Sequence, residues 1–188
     1  MNKPEKVTAK EIFSKYGKCV EFNRNINLYD TVRVNEDFFI GKQWEGVEAN
    51  GLPTPTFNML KQVVNFQVST ITSDNMVLQA TPLASVGAHT QKDVERVAGI
   101  VSAQYAAIME RNRIVTKMRE FMRNAAVDAD GCMYFWFDPM VENGQLVKGE
   151  IAAEILENTR VHFGNPNCRE VQKQPWIIIL RREAVEDH

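Results

Sequence analysis

Long apolar runs are missing from this sequence. The longest are six residues, Cys132 to Phe137, and five, Trp176 to Leu180, far short of the roughly 20 that cross a bilayer. The opening stretch MNKPEKVTAKEIF holds no apolar segment of the kind a secretory leader needs. Cysteine is scarce: Cys19, Cys132 and Cys168 are odd in number and widely spaced. They read as reduced thiols of a cytosol-like compartment, not as a disulfide framework. Surplus charge is absent too, with 22 Lys+Arg against 24 Asp+Glu and a net charge of -2. A protein that draws its affinity from a basic surface has a different balance. What remains is a chain of 188 residues, 44% hydrophobic, which is the size and composition of one soluble folded unit.

The motifs that cradle phosphates are also missing. Neither GxxxxGK[ST] nor GxGxxG occurs, and Gly41, Gly46 and Gly51 have the wrong spacing for both. The three histidines are His89, His162 and His188. His162 and Cys168 stand six apart without the paired Cys-x-x-Cys spacing of a zinc site, so both read as isolated structural residues.

Helical periodicity fills the first two thirds. Ile12, Tyr16, Cys19, Phe22, Ile26, Tyr29 and Val32 keep one stripe, which predicts one long helix or two short ones between Val7 and Asp37. Phe38 to Pro55, with its Gly and Pro breakers, reads as an ordered loop. Phe57, Leu60, Val64, Val68 and Ile71 predict a second helical segment, with Thr54 as N-cap and Pro55 at its first position. Met76 to Leu83 reads as a short strand closed by Pro82.

The strongest pattern runs from Thr90 to about Asn124, where Thr90 and Asp93 resemble a capping box. As one helix of about 35 residues it would be roughly 50 Å long. A compact globule of this length is only about 40 Å across. The helix therefore breaks, near Gly99 or at Glu110 to Asn112, or else the molecule is elongated.

Cys132 to Phe137 reads as a strand buried on both faces. Asn143-Gly144 reads as a hairpin turn returning through Leu146 to Leu156, and Trp176 to Leu180 as another buried strand. Trp136 and Trp176 are assigned to the core, while Trp44, in a Gly/Pro-rich loop, is the candidate for a contact surface. Helices come first and strands later, so the class is α+β: long amphipathic helices, then a small, mostly antiparallel sheet with a hairpin near 132–157. The final RREAVEDH reads as the start of a helix, and the chain as the front of a longer protein.

Two residue clusters carry candidate chemistry. Arg111, Arg113, Lys117, Arg119 and Arg123 form the polar face of an amphipathic helix. The ordinary reading is a solvated face; the alternative is contact with DNA phosphates or an acidic neighbouring subunit. Asp128, Asp130, Asp138, Glu142 and Glu150 are the acidic set from which a Mg²⁺-dependent nuclease site would be built. Asp128-Ala129-Asp130-Gly131 fails as a calcium loop, because Ala126 and Phe137 fall where carboxylates are required. Its plain reading is a turn.

The order of segments resembles the N-terminal region of tailed-bacteriophage portal proteins. A helix is followed by an F-x-x-G-x-Q-W segment, a turn ending in proline and an asparagine-bearing helix; here these are Phe38, Gly41, Gln43, Trp44, Pro53 and Asn58. Gly149-Glu150-Ile151 continues the likeness, and NTRVHFGNPNCREVQKQPWIIILRRE resembles a later block with a Gly-Asn-Pro turn before a Gln-Pro-aromatic strand.

The resemblance implies a ring subunit, typically of a dodecamer, at one vertex of the phage head, in the host cytoplasm during assembly and in the virion afterwards. It implies partners in its own copies, the terminase large subunit, the major capsid protein and the head–tail adaptor, with double-stranded DNA passing through the channel. It implies no membrane, no cofactor and no catalysis, and it places residues 1–180 in an outer wing and 181–188 at the start of a stem helix. Against it stand two other classes: a metal-dependent nuclease using Asp128, Asp130, Asp138 and Glu150, and a non-specific DNA-binding module using Arg111 to Arg123.

Overall fold

The structure, a computed structural model, describes residues 7–73, 77–82, 91–142 and 148–182. Five helices precede two small antiparallel ribbons, an α+β fold with the helices first. The predicted caps at Thr90, the turn at Asn143-Gly144 and the terminal helix lie outside the described residues, as do His89 and His188.

The first segment is two helices, α1 (Ala9–Asn25) and α2 (Leu28–Ile40). Thr8 starts α1 with a capping box: its hydroxyl accepts from the Glu11 N–H and the Glu11 carboxylate accepts from the Thr8 N–H. The break falls at Asn27, held in the left-handed region at φ 55, a conformation that asparagine tolerates better than most residues. Gly17 stays inside α1. At the far end Gly41, with φ 92, terminates α2, so Phe38 to Ile40 belong to the helix and the loop starts three residues later than expected.

Helix α3 (Met59–Ile71) starts at Asn58, not at Thr54-Pro55. The Asn58 side chain accepts from the Lys61 N–H at 3.0 Å and donates to the Phe39 carbonyl at 2.8 Å. One amide thus caps α3 and ties it to the end of α2, which a threonine hydroxyl four residues earlier would not do. The strand expected at Met76 to Leu83 is not formed: residues 77–82 have no regular structure, and the Ala80 N–H is taken by the Ser102 hydroxyl of the next helix at 3.0 Å.

The long helical pattern divides at its second candidate break into α4 (Gln91–Arg111) and α5 (Ile114–Asp128), with Arg113 left-handed at φ 51. Gly99 stays helical. Strands β1 (Cys132–Asp138) and β2 (Glu150–Leu156) pair antiparallel, from Cys132 opposite Leu156 to Asp138 opposite Glu150. A separate ribbon joins β3 (Val161–Phe163) to β4 (Ile177–Ile179).

The core is small. Among the described residues Ile114, Ala153, Leu156, Val161 and His162 are buried. Cys132 to Phe137 is a strand, but not one buried on both faces: Phe135 is 53% exposed and Phe137 60%. No second layer covers that side of a two-stranded ribbon. Trp136 and Trp176 are only half-buried, each under a cation: Arg181 lies 5.1 Å from the Trp136 ring and Lys15 5.7 Å from Trp176.

The whole chain exposes 15465 Å², whereas a compact protein of 21.5 kDa exposes about 9,200 Å². Granting the 28 residues outside the described ones a fully extended chain's area, about 165 Å² each, the described residues still expose roughly 2,700 Å² more than a compact protein of their own mass, which exposes about 8,100 Å². Helix α3 contributes visibly. Its single charge is Lys61, Val64 and Val68 face inward, and Met59, Val63 and Phe66 point outward at 69%, 52% and 73% exposure.

Candidate functional site

The junction between α4 and α5 meets the outer edge of β2, and two of the five basic residues, Arg111 and Lys117, reach it. Asn112, first residue of the junction, donates to the Ile108 carbonyl at 3.0 Å and to the Ile151 carbonyl at 2.7 Å. Its carbonyl oxygen accepts from the Ala153 N–H at 2.8 Å. One side-chain amide therefore bonds the strand edge as a neighbouring peptide would. The Lys117 ammonium donates to the Ala153 carbonyl, and Arg111 pairs with Glu150 at 3.2 Å. Beneath them the first residue of α5, Ile114, is 3% exposed.

This arrangement revises the reading of the basic residues. Arg123 pairs with Glu36 and stacks 4.7 Å above the Phe39 ring, joining α5 to α2. Arg111, Lys117 and Arg123 thus hold parts of the chain to one another. The side chains of Arg113 and Arg119, both exposed, make no hydrogen bond or ion pair among the described residues. The five do not form one solvated stripe, because the break at Arg113 rotates α5 away from α4.

Trp44 is 43% exposed, and its indole N–H donates to the Pro55 carbonyl at 3.1 Å. It pins the loop while leaving ring surface in solvent. Gly41 lies beside Asn58, where an added Cβ would come 3.3 Å from the amide nitrogen. Farther along, the Gln174 amide donates to the Asn165 and Cys168 carbonyls, each at 2.9 Å, and clamps the Gly-Asn-Pro turn. These residues serve local folding.

The four carboxylates of the nuclease reading do not converge. Asp128 and Asp130 precede β1, whereas Asp138 and Glu150 face each other across the far end of the ribbon. Seven strand residues separate the two pairs by about 20 Å. Asp138 accepts from the Met140 N–H at 2.9 Å, an Asx turn, and Glu150 is held by Arg111.

Asp128 is in an unfavourable place. Its Oδ1 is sealed from solvent and has no hydrogen-bond partner among the described residues. Burial raises its pKa, and the charge of Glu36 adds to the rise. A raised carboxyl contributes stability below the unfolded pKa of about 3.9 and loses it as pH climbs through the folded value. Asp128→Asn is therefore expected to raise the thermal midpoint at pH 7, with the gain vanishing toward pH 4; calorimetry at both pH values reads this out.

His162, on β3, is 2% exposed. The Tyr16 ring meets it edge-on at 5.1 Å, and Asn23 lies 3.4 Å from its Nδ1. Its Nε2 is buried and has no partner among the described residues, and burial lowers its pKa, which favours the neutral ring. The neighbouring Cys19 thiol donates to the Phe163 carbonyl at 3.5 Å and is pushed up by burial. Tyr16, Cys19 and Asn23 share one face of α1, so these contacts fasten α1 to the β3–β4 ribbon. His162, expected from the sequence to be an isolated structural residue, is buried here, and the linking role of the asparagines was not foreseen. Asn23, Asn35, Asn58, Asn112 and Asn158 each link separate segments of the chain.

An open groove of about 440 Å³ runs between α3 and α5, lined by Phe66, Val68, Ile71, Met122 and Ala125 among others. No helix of the described residues is long and apolar enough to cross a membrane. Comparisons with protein-family models, curated proteins and solved structures find no match for this chain.

Proposed function

We propose that this chain is a structural assembly subunit, the wing-type N-terminal part of a tailed-phage portal ring. The observation that carries the assembly reading is the surface excess: the described residues expose roughly 2,700 Å² more than a compact protein of their own mass. A standard interface uses about 800 Å² per partner. Helix α3 adds to it, since a helix apolar on both inward and outward faces is built for burial. The portal identity rests on the collinear sequence likeness.

In this reading the neighbours are copies of the same chain, meeting through a heterologous contact that closes by rotation. Terminase, capsid protein and adaptor are met through the longer protein, and DNA passes through without tight phosphate binding, in keeping with the net charge of -2.

Negative-stain imaging and light scattering of the protein expressed from its whole coding frame test the proposal. Rings are the expected result, and a strict monomer overturns it. The same preparation addresses the nuclease alternative: Mg²⁺- or Mn²⁺-dependent DNA cleavage that is lost in Asp130→Ala would displace the structural reading.

A further inference from the structure

The two edges of the β1–β2 ribbon are treated differently. On β2 three of the backbone groups that point away from β1 are occupied: Asn112 bonds the Ile151 carbonyl and the Ala153 N–H, and Lys117 the Ala153 carbonyl. Residues directly opposite in an antiparallel ladder point their groups the same way, both inward or both outward. The outward groups of β1 therefore belong to Phe135 and Phe137, opposite Ala153 and Ile151, and by alternation to Met133. Among the described residues no hydrogen bond reaches them. The usual protection of an open edge comes only at the end of β1, with Asp138 and Pro139; Cys132 to Phe137 contains no charge and no proline.

We infer that the open edge of β1 pairs antiparallel with β1 of a second copy, across a two-fold axis at Phe135. Such pairing sets Met133 of one copy opposite Phe137 of the other, Tyr134 opposite Trp136, and Phe135 opposite itself. Outward groups then meet outward groups at every position, and each such pair exchanges two backbone hydrogen bonds. The side chains match as well. Tyr134 and Trp136, already stacked at 5.3 Å within one copy, form aromatic cross-strand pairs. Asp138 faces Cys132, so no like charges oppose.

The result is a four-stranded sheet in place of two ribbons, each marginal by itself. It sets Phe135 and Phe137 beside Phe135 and Met133 of the other copy on the same sheet face and draws on the same surface excess. The inference does not depend on the ring reading: this contact is isologous, whereas ring neighbours meet through a heterologous one.

Position 135 faces its own copy, which gives the test. Sedimentation velocity of the 188-residue chain compares wild type, Phe135→Lys, Phe135→Glu and an equal mixture of the two variants. Wild type is expected to dimerise with rising concentration. Each variant alone is expected to weaken the dimer by about tenfold or more, through like charges placed directly opposite. The mixture is expected to restore it as a one-to-one heterodimer, which an unfolded variant would not do. A monomeric wild type, variants that associate as wild type does, or a mixture that stays monomeric would each overturn the inference. Dissociation by Phe66→Glu but not by Phe135→Lys would move the interface to α3, and would leave the assembly reading standing.

Discussion

Asn112→Ala is expected to lower the thermal midpoint by roughly 5–10 °C. The substitution removes bonds to the Ile108 and Ile151 carbonyls and to the Ala153 N–H. Ile151 is 37% exposed and its carbonyl regains water, but Ala153 is 6% exposed and its N–H does not. An orphaned buried donor costs about 1–3 kcal/mol, and each lost bond about 1 kcal/mol more. Some 2–3 kcal/mol is therefore at stake. For a chain of this length each kcal/mol moves the midpoint by about 2–4 °C. Lys117→Met keeps the apolar stem and removes one donor, so its effect is smaller. Calorimetry orders the two, and an Asn112→Ala protein within 0.5 °C of wild type would mean that the amide does not hold the edge.

The second large effect lies at His162. His162→Ala leaves a cavity at a site 2% exposed and is expected to cost about 2–4 kcal/mol, the range of large-to-small core changes. Its pH behaviour separates the ring from a mere space-filler. Burial depresses the folded pKa, so the unfolded chain takes up a proton first as pH falls. Stability is fully present above the unfolded value of about 6.5 and declines as pH drops from there toward the folded pKa. The groups shown against the ring are Tyr16 and Asn23 of α1, with Ile178 opposite on β4; none offers a negative charge to hold an imidazolium. Amide exchange in α1 is expected to accelerate between pH 7 and pH 5, beyond the intrinsic change. His162→Phe, which fills the site without titrating, should abolish that acceleration. Equal acceleration in both proteins would assign it to other groups.

The helices were legible because their apolar period is an intrinsic property of each segment. Their breaks were legible only in part. Gly99, a candidate break, stayed helical, as did Gly17: an interior glycine costs only about 1 kcal/mol. The breaks fell at Asn27 and at Asn112-Arg113. At the second of these, a long-range bond to β2 is what makes the turn worthwhile, and no local pattern encodes it.

Cys132 to Phe137 and Trp176 to Leu180 were legible as strands and misread as buried. Apolar content records what a segment can bury, not whether the same chain supplies the cover. The basic residues of α5 failed for a related reason: a wheel projection shows the direction of Lys117 and Arg123 but not that Ala153 and Glu36 wait there. The separation of Asp128 and Asp130 from Asp138 and Glu150, by contrast, could have been read from the length of β1 alone.

The asparagine links give the fold a distinctive economy. Asn23, Asn35, Asn58, Asn112 and Asn158 join separate segments by directional bonds where a thicker apolar core would otherwise do so. Directional bonds fix geometry well but add little net free energy in water, about 1 kcal/mol each. Shape and stability therefore come from different sources in this chain: the amides set the shape, and the exposed apolar surface holds most of its stabilising potential in reserve. For a chain that assembles as proposed, folding and association become one linked equilibrium, and protein concentration acts on the fold itself as a ligand would.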